Sequence, residues 1–395
     1  MRAPILLVAC VALAGSLVVS TTVAAQPARP PGSVPGPTSE AADFKFPGAD
    51  LMRIPGTPKY VAYGASLPKA EKLPFTTVEF KNVSFVRRSA IDGDAWERRD
   101  RTFPAGYWAK PDSTLWTPAV VPHREGPQKK VVYYLFYSAQ HRDSSTGRRC
   151  IGYATSSKWW TSWKAAKNPL YCPQGRWAID ADVTTGPRGR FWMTLRNGAW
   201  TRKDHTALGA SELRLGGRKA TLVKPPTEIL RSNNNPWTHH EADLDDEADV
   251  ITVENPNAIY RGGKWYLFFS GNDWDSNRYG TGIALCGAHL ADGRCPPLDA
   301  QRAYFAYKPR PDAGPGFANA LPPRMRNKTL PGNKRGPGAF DVFQAPDGSW
   351  WASWNYIRDS SPVVVGQRIW RNSRIAPIRI TGSGTSIDVD VAWRR

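Results

Sequence analysis

Four carboxylates in this 395-residue chain stand at the head of short apolar stretches: Asp50 before Leu51-Met52, Asp180 and Asp182 in WAIDADV (177–183), and Glu254 in ENPNAIY (254–260). A charge placed against apolar strands costs free energy unless it is paired or used. Carboxyl groups some distance apart across a cleft could hydrolyse a glycosidic bond. One, kept protonated, gives its proton to the leaving oxygen, and another, ionised, activates water on the opposite face. A third negative charge nearby favours the protonated form of the acid. The bland alternative is that these residues cap turns, as Asp often does. Asp50 and Glu254 lie more than 200 positions apart, so acid–base work requires a fold that brings them to one place.

The elements that could do so recur along the chain. ADLMRIPGTPKYVAYGAS (49–66), PAVVPHREGPQKKVVYYLFYSA (118–139), DADVTTGPRGRFWMTLRNG (180–198), ENPNAIYRGGKWYLFFSGN (254–272) and AFDVFQAPDGSWWASWNY (339–356) each read as strand, glycine turn and aromatic strand. With Tyr60, Tyr133, Phe191, Trp265 and Trp350 as register marks, the spacings are 73, 58, 74 and 85 residues. CIGYATS (150–156) and GTGIALC (280–286) supply a third strand in two of the repeats. Irregular β repeats of this size, with no helical period, predict an all-β, five-bladed β-propeller. A pair of β-sandwiches would not produce the same hairpin five times. In a propeller the first strand of each blade lines the central channel. Asp50 (blade 1), Asp180 and Asp182 (blade 3) and Glu254 (blade 4) therefore converge on its mouth, where blades 2 and 5 present Pro118 and Ala339.

These segments resemble glycoside hydrolase family 43, of the five-bladed propeller superfamily that includes arabinanases and levansucrases, over residues 44–395. WAIDADV is similar to the segment in which that family keeps the aspartate tuning the acid, which maps to Asp180, and VENPNAIYRGGKWYLFFS to the segment with the general acid, which maps to Glu254. LWTPAVV, YYLFYS and RGPGAFDVFQAPDGSWW also fit. The resemblance implies inverting cleavage of arabinose- or xylose-containing glycans, with no cofactor. Two positions depart from the family. Its blade 1 Asp-Pro pair, whose Asp is the general base, corresponds to Gly48-Ala49. Asp50 follows on the same side of the strand, as a displaced base, or else the base is lost. A histidine that in some members is tied to a channel ion corresponds to Ala339, so no metal is expected.

Residues 1–25, with Arg2, an apolar run from Ile5 to Val19 and Val23-Ala24-Ala25, read as a secretory signal peptide. Residues 26–43, rich in Pro, Gly and Ser, read as a linker, and residues 44–395 as a single propeller domain. Loss of the leader removes Arg2 and no acid, lowering the formal charge from +19 to +18. It also leaves Cys150, Cys172, Cys286 and Cys295. An even count in an exported chain favours disulfides, and the sequence-local pairing, Cys150–Cys172 with Cys286–Cys295, is the simplest of three. Seventeen tryptophans exceed ordinary usage; most are expected in the core, and some could stack on sugars. HHEADLDDEAD (239–249) lacks the spacing of a calcium loop and reads as a solvated acidic loop. The excess basic charge is spread through RRDR, GRRC, RKDH and NKRG. It suits an acidic cell-wall polymer or pectic glycan as a possible partner, while export and the lack of a binding module argue against nucleic acid. The expectation is a secreted monomer without stable membrane insertion, acting on polysaccharide or oligosaccharide. The rival is a non-catalytic propeller that binds glycans or acidic wall polymers, and an outward-pointing Asp50 would favour it.

Overall fold

The computed structural model describes residues 50–57, 60–64, 79–83, 98–102, 106–111, 113–145, 147–198, 205–240, 250–272, 274, 278–307, 326–328, 335–345, 348–357 and 371–391. The expected leader (1–25), the linker (26–43) and most of the acidic loop at 239–249 lie outside them.

Five sheets of four or five strands follow one another along the chain. Sheet 1 comprises Asp50–Arg53, Tyr60–Gly64, Glu79–Val83 and Arg98–Thr102. Sheet 2 comprises Trp116–Glu125, Lys130–Gln140, Arg149–Ser156 and Lys164–Ala165. Sheet 3 has Trp177–Thr185, Phe191–Gly198, Ala207–Gly216, Lys219–Leu222 and Thr227–Arg231. Sheet 4 has Val253–Arg261, Lys264–Gly271, Gly280–Gly287, Ala303–Phe305 and Arg326–Lys328, and sheet 5 has Arg335–Gln344, Trp350–Ile357, Arg371–Thr381 and Asp388–Val391. Sheets 2 to 5 have long leading strands, whereas every strand of sheet 1 is four or five residues. His239–His240 and Val250–Ile251 form a separate two-stranded ribbon. Among the described residues there is no α-helix.

The first strands pack side by side in a closed order, sheet 1 on 2, 2 on 3, 3 on 4, 4 on 5, and 5 back on 1. This is an all-β propeller, as the repeated hairpins predict. The hairpins themselves appear in the expected register: Arg261 pairs with Lys264 across Gly262-Gly263, both at positive φ (57° and 79°). That is the two-residue turn whose twist matches the flanking strands.

The aromatic second strands are explained by the gaps between sheets. A second strand is covered on both faces, so it is apolar throughout rather than alternating; Tyr134 to Ala139 are all 0% exposed. One core cluster fills each gap. Tyr63 meets Leu135 and Tyr137 between sheets 1 and 2, and Tyr134 and Phe136 meet Met193 and Leu195 between sheets 2 and 3. Leu208 meets Trp265 between sheets 3 and 4, Phe268 meets Trp354 between sheets 4 and 5, and Tyr60 meets Trp351 between sheets 5 and 1. Most of the described tryptophans serve this packing, and truncating Trp265 or Trp354 to alanine would cost about 3–5 kcal/mol. Cys150–Cys172 and Cys286–Cys295 are both disulfides, each tying the third strand of its sheet to a later segment.

Candidate active site

Every long first strand carries the same irregularity at its leading end. In sheets 2, 3, 4 and 5, two residues oppose one on the second strand: Thr117-Pro118, Asp180-Ala181, Asn255-Pro256 and Ala339-Phe340. The first residue of each pair is left-handed, with φ of 42°, 56°, 47° and 51°. For Thr and Ala that conformation is strained by about 1 kcal/mol or more, whereas Asp and Asn tolerate it better. A bulge of this kind re-aims the side chains on either side of it. Here it aims them into one cavity, lined by the bulge pairs, by Asp182, Asn257 and Asp341 just after them, and by Asp50.

The cavity wall has two levels. At the bulge level Thr117 Oγ1 accepts the Asp180 N–H (3.2 Å), and Asp180 Oδ2 accepts the Asn255 N–H (3.2 Å). One level further in, Asp50 Oδ2 accepts the Val120 N–H (2.8 Å), Asn257 Oδ1 the Val342 N–H (3.0 Å) and Asp341 Oδ2 the Leu51 N–H (2.8 Å). Asp182 is held by the N–H groups of Val183 and Ala258. Each acceptor thus reaches the first strand of the next sheet, and every junction of the ring is bonded in the same sense. This pattern puts Asp50 level with Asp182 and Asp341, deeper than Asp180.

Asp50, Asp182 and Asp341 bring carboxylate oxygens within 4.8 Å of one another. Burial, then the charges of Asp341 and Asp182, push Asp50 well above the ordinary carboxylate range. Burial and Asp182 do the same to Asp341. Asp182 rises to about 6 through burial, restrained by its hydrogen bonds. The Asn257 amide donates to Asp182 Oδ2 (3.3 Å) and Asp341 Oδ1 (3.2 Å), which relieves part of the repulsion. Among the described residues these three are the group that could jointly hold a cation. The Asn257 N–H donors directed at two of them suit shared protons as well. The expectation that sheet 5 presents only Ala339 is corrected here: Asp341, two residues on, enters the cavity. Strand periodicity contained that signal, since positions 339 and 341 share a side.

Glu254 lies just before its bulge and is not among the residues that line the cavity. It is buried, with Oε2 ion-paired to Arg196 Nη1 at 2.5 Å. Its Oε1 accepts the Tyr279 hydroxyl at 2.7 Å and the Asn255 amide at 3.4 Å. Asp180 is its charged neighbour. Burial and the Glu254 charge raise Asp180 to about 7, against the opposing pull of Arg196 and the Asn255 N–H. Near neutrality Asp180, the residue expected to stay ionised, is therefore protonated part of the time. Sequence reading missed Arg196 and Tyr279, which are hidden in ordinary strand and loop context.

Sheets 2 and 3 add an aromatic wall at the mouth. Trp116 and Trp177 stand 6.2 Å apart, ring centre to ring centre, and both are half-buried. The Arg149 guanidinium lies 3.2 Å over the Trp116 ring and donates to Thr114 O and Ser138 O. Burial lowers Arg149 to about 9, and the Asp180 charge opposes that shift.

Solved structures share this fold. A thermostable family-43 glycoside hydrolase superposes with a TM-score of 0.59 at 17% identity, covering 89% of this chain and 95% of that one. The endo-arabinase from Bacteroides thetaiotaomicron VPI-5482 gives 0.59 at 14% identity (86% and 96% covered). The α-L-arabinofuranosidase from Lactobacillus brevis gives 0.56 at 14% (85% and 91%). No match was found among curated proteins. The sequence matches glycosyl hydrolases family 43 over residues 76–386, a span that holds Asp180, Glu254 and Asp341 and stops short of Asp50. The chain therefore belongs to glycosyl hydrolase family 43 and is a glycosidase.

Proposed function

We propose that this glycosidase is a secreted, five-bladed propeller enzyme in which the five sheets are the blades, and that it cleaves arabinose- or xylose-containing glycans with inversion. Glu254 is the proton donor, Asp180 the neighbour that tunes it, and Asp50 the base that activates water. The observation that carries this reading is the placement of Glu254 and Asp180 on adjacent blades, in contact with one another's charge, beside an acid-lined cavity. Around a ring of five, blade 1 adjoins neither blade 3 nor blade 4. Asp50 thus approaches the cavity from the far side, whereas Asp182 and Asp341 lie on or next to the blade of the acid. Inversion needs such separation, about 6.5–9.5 Å between carboxyl groups, to admit a water. Asp50 lines the cavity rather than pointing outward, which supports hydrolysis over passive binding. The arabinanase and arabinofuranosidase among the similar structures support a pentose substrate.

Glu254→Gln tests the assignment. Cleavage of arabinan or xylan by the full chain should fall by about 10²–10⁴-fold, the usual worth of general acid assistance. A nitrophenyl glycoside, whose leaving group needs little protonation, should keep a much larger fraction of its rate. Equal loss on both substrates would remove Glu254 from the donor role. Proton NMR of the first-formed product reads inversion directly.

A further inference from the structure

We infer that the end of the propeller opposite the carboxylate cavity carries a second binding site, a basic rim on sheets 2 and 3 that takes an anionic polysaccharide bearing repeated carboxylates. First strands start at the cavity and run away from it, so the turns joining first to second and third to fourth strands emerge at the opposite end. From Thr117 to Glu125 the first strand of sheet 2 spans about 26 Å at ~3.3 Å per residue. Three turns gather there: Gly126-Pro127-Gln128-Lys129-Lys130, Gly186-Pro187-Arg188-Gly189-Arg190 and Gly216-Gly217-Arg218-Lys219.

These turns touch. The Arg218 N–H donates to Glu125 Oε2 (3.2 Å), joining sheet 3 to sheet 2, and His123 meets Phe191 edge-on at 5.2 Å. Lys129, Lys130, Arg188, Arg190, Arg218 and Lys219 are all exposed. The carboxylates among them are already engaged: Glu125 accepts from Tyr134 and Arg218, and Glu212 pairs with Arg190 at 3.4 Å. Lys129, Lys130, Arg188 and Lys219 form no ion pair with another described residue. A solvated surface usually intersperses the two signs; this one sets six cations against two occupied acids.

The backbone adds an independent observation. Lys129, Arg188 and Arg218 sit at φ of 48°, 59° and 60°, where tight turns favour Gly, Asn or Asp. A cation therefore occupies the non-glycine left-handed position in each of the three turns. The rim lies several screening lengths (about 8 Å each) from the cavity, so a polyanion held there neither competes with nor is repelled by the acids of the active site. Single-stranded nucleic acid binders interleave such charges with aromatic platforms. Among the described residues no exposed large hydrophobic side chain lies in these three turns, and Trp160, in the third-to-fourth turn of sheet 2, is a single aromatic at this end rather than an interleaved series. An anionic glycan needs no such platform.

The test is binding of the full chain to de-esterified polygalacturonate, by affinity electrophoresis or calorimetry. At low salt the protein should bind, and raising NaCl to about 200 mM should weaken binding at least tenfold, as counterion release requires of a polyanion complex. The combined substitution Lys129→Gln, Lys130→Gln, Arg218→Gln and Lys219→Gln should lower affinity at least tenfold and leave hydrolysis of a neutral aryl glycoside unchanged. Replacing Lys110, Arg142, Lys167 and Arg176 by Gln, the same loss of charge in loops at the cavity end of sheets 2 and 3, should lower affinity less than threefold. Equal loss in the two variants would mean net charge rather than a site, and overturn the inference. Wild-type affinity in the rim variant would overturn it too, as would tighter binding to double-stranded DNA than to polygalacturonate at the same salt.

Discussion

Replacing Asp180 by Asn should make the protein more stable at neutral and alkaline pH while removing most of its activity. In the folded chain burial and the Glu254 charge lift this carboxyl from 3.8 to about 7. The unfolded chain ionises it near its ordinary value. Between about pH 4 and pH 7 the native state thus holds a proton that the unfolded state has released, and stability falls as pH rises through that window. At about 1.4 kcal/mol per pH unit, the span from 3.8 to about 7 amounts to about 4 kcal/mol. This is an upper bound, since relaxation around the ionised carboxylate recovers part of it. Asn has the shape of the protonated acid, and its Oδ1 still accepts the Asn255 N–H. The stability difference between the Asp180→Asn variant and wild type should therefore be near zero at about pH 4, grow to a few kcal/mol by about pH 7 and stay level above. Urea denaturation at one-unit steps across that range and one unit beyond it measures the difference. A difference that does not change with pH, or a variant less stable than wild type in mild alkali, would refute the reasoning about Asp180.

Further outcomes follow from the same geometry. Asp50→Asn and Asp341→Asn should both fold and gain stability relative to wild type as pH rises above the ordinary carboxylate range of about 4, because burial and like charge raise both carboxyls; in a rate assay only Asp50→Asn should cost about 10²–10⁴-fold, with azide restoring part of the turnover. Gly338→Ala puts a Cβ 2.0 Å from Tyr279 Cε1, so it should displace the ring that donates to Glu254 and destabilise by about 1–3 kcal/mol; Tyr279→Phe should lower activity with less change in thermal midpoint. Replacing Cys150 and Cys172 by Ser opens a loop of 22 residues and should cost about 3 kcal/mol, slightly more than opening the 9-residue loop of Cys286–Cys295, as thermal melts would show.

The fold was legible because its unit repeats. Gly262-Gly263 between two apolar runs is a local signal, and the aromatic second strand is the sequence trace of a strand covered on both faces. The disulfide pairing was legible for a simpler reason, because each pair joins a third strand to a segment only 22 or 9 residues away in the chain. What could not be read is the side-chain partnership between sheets. Arg196 lies in the second strand of sheet 3 and meets Glu254 only once sheets 3 and 4 pack together; Tyr279, just ahead of the third strand of sheet 4, reaches Glu254 within its own sheet but across 25 residues of chain. The clustering of charge was equally invisible. GPQKK, GPRGR and GGRK are far apart in the chain, and only the shared direction of their strands places them at one end. Asp341 was readable and was passed over, because the lead position of its strand is an alanine.

The bulges and the free edge of each first strand explain why so many acids stand at this channel. A first strand in a propeller has no partner on its channel side, and its N–H groups there need acceptors. Asp50, Asp182, Asn257 and Asp341 supply them to the next sheet in turn. These residues therefore have a structural role, which is to bridge neighbouring sheets rather than to cap turns. Yet Asn257 performs the task with a neutral amide, and Thr117 does so with a hydroxyl. Charge is not required for it. A buried carboxylate with a raised pKa weakens the fold above about pH 4, so Asp50, Asp182 and Asp341 cost stability that Asn at the same positions would not. The structural role accounts for an acceptor at each junction and leaves the carboxyl chemistry of Asp50 over for the proposed hydrolysis. On Asp50 the two roles use different atoms: Oδ2 holds Val120, and Oδ1 is the oxygen to which the proposed activation of water falls.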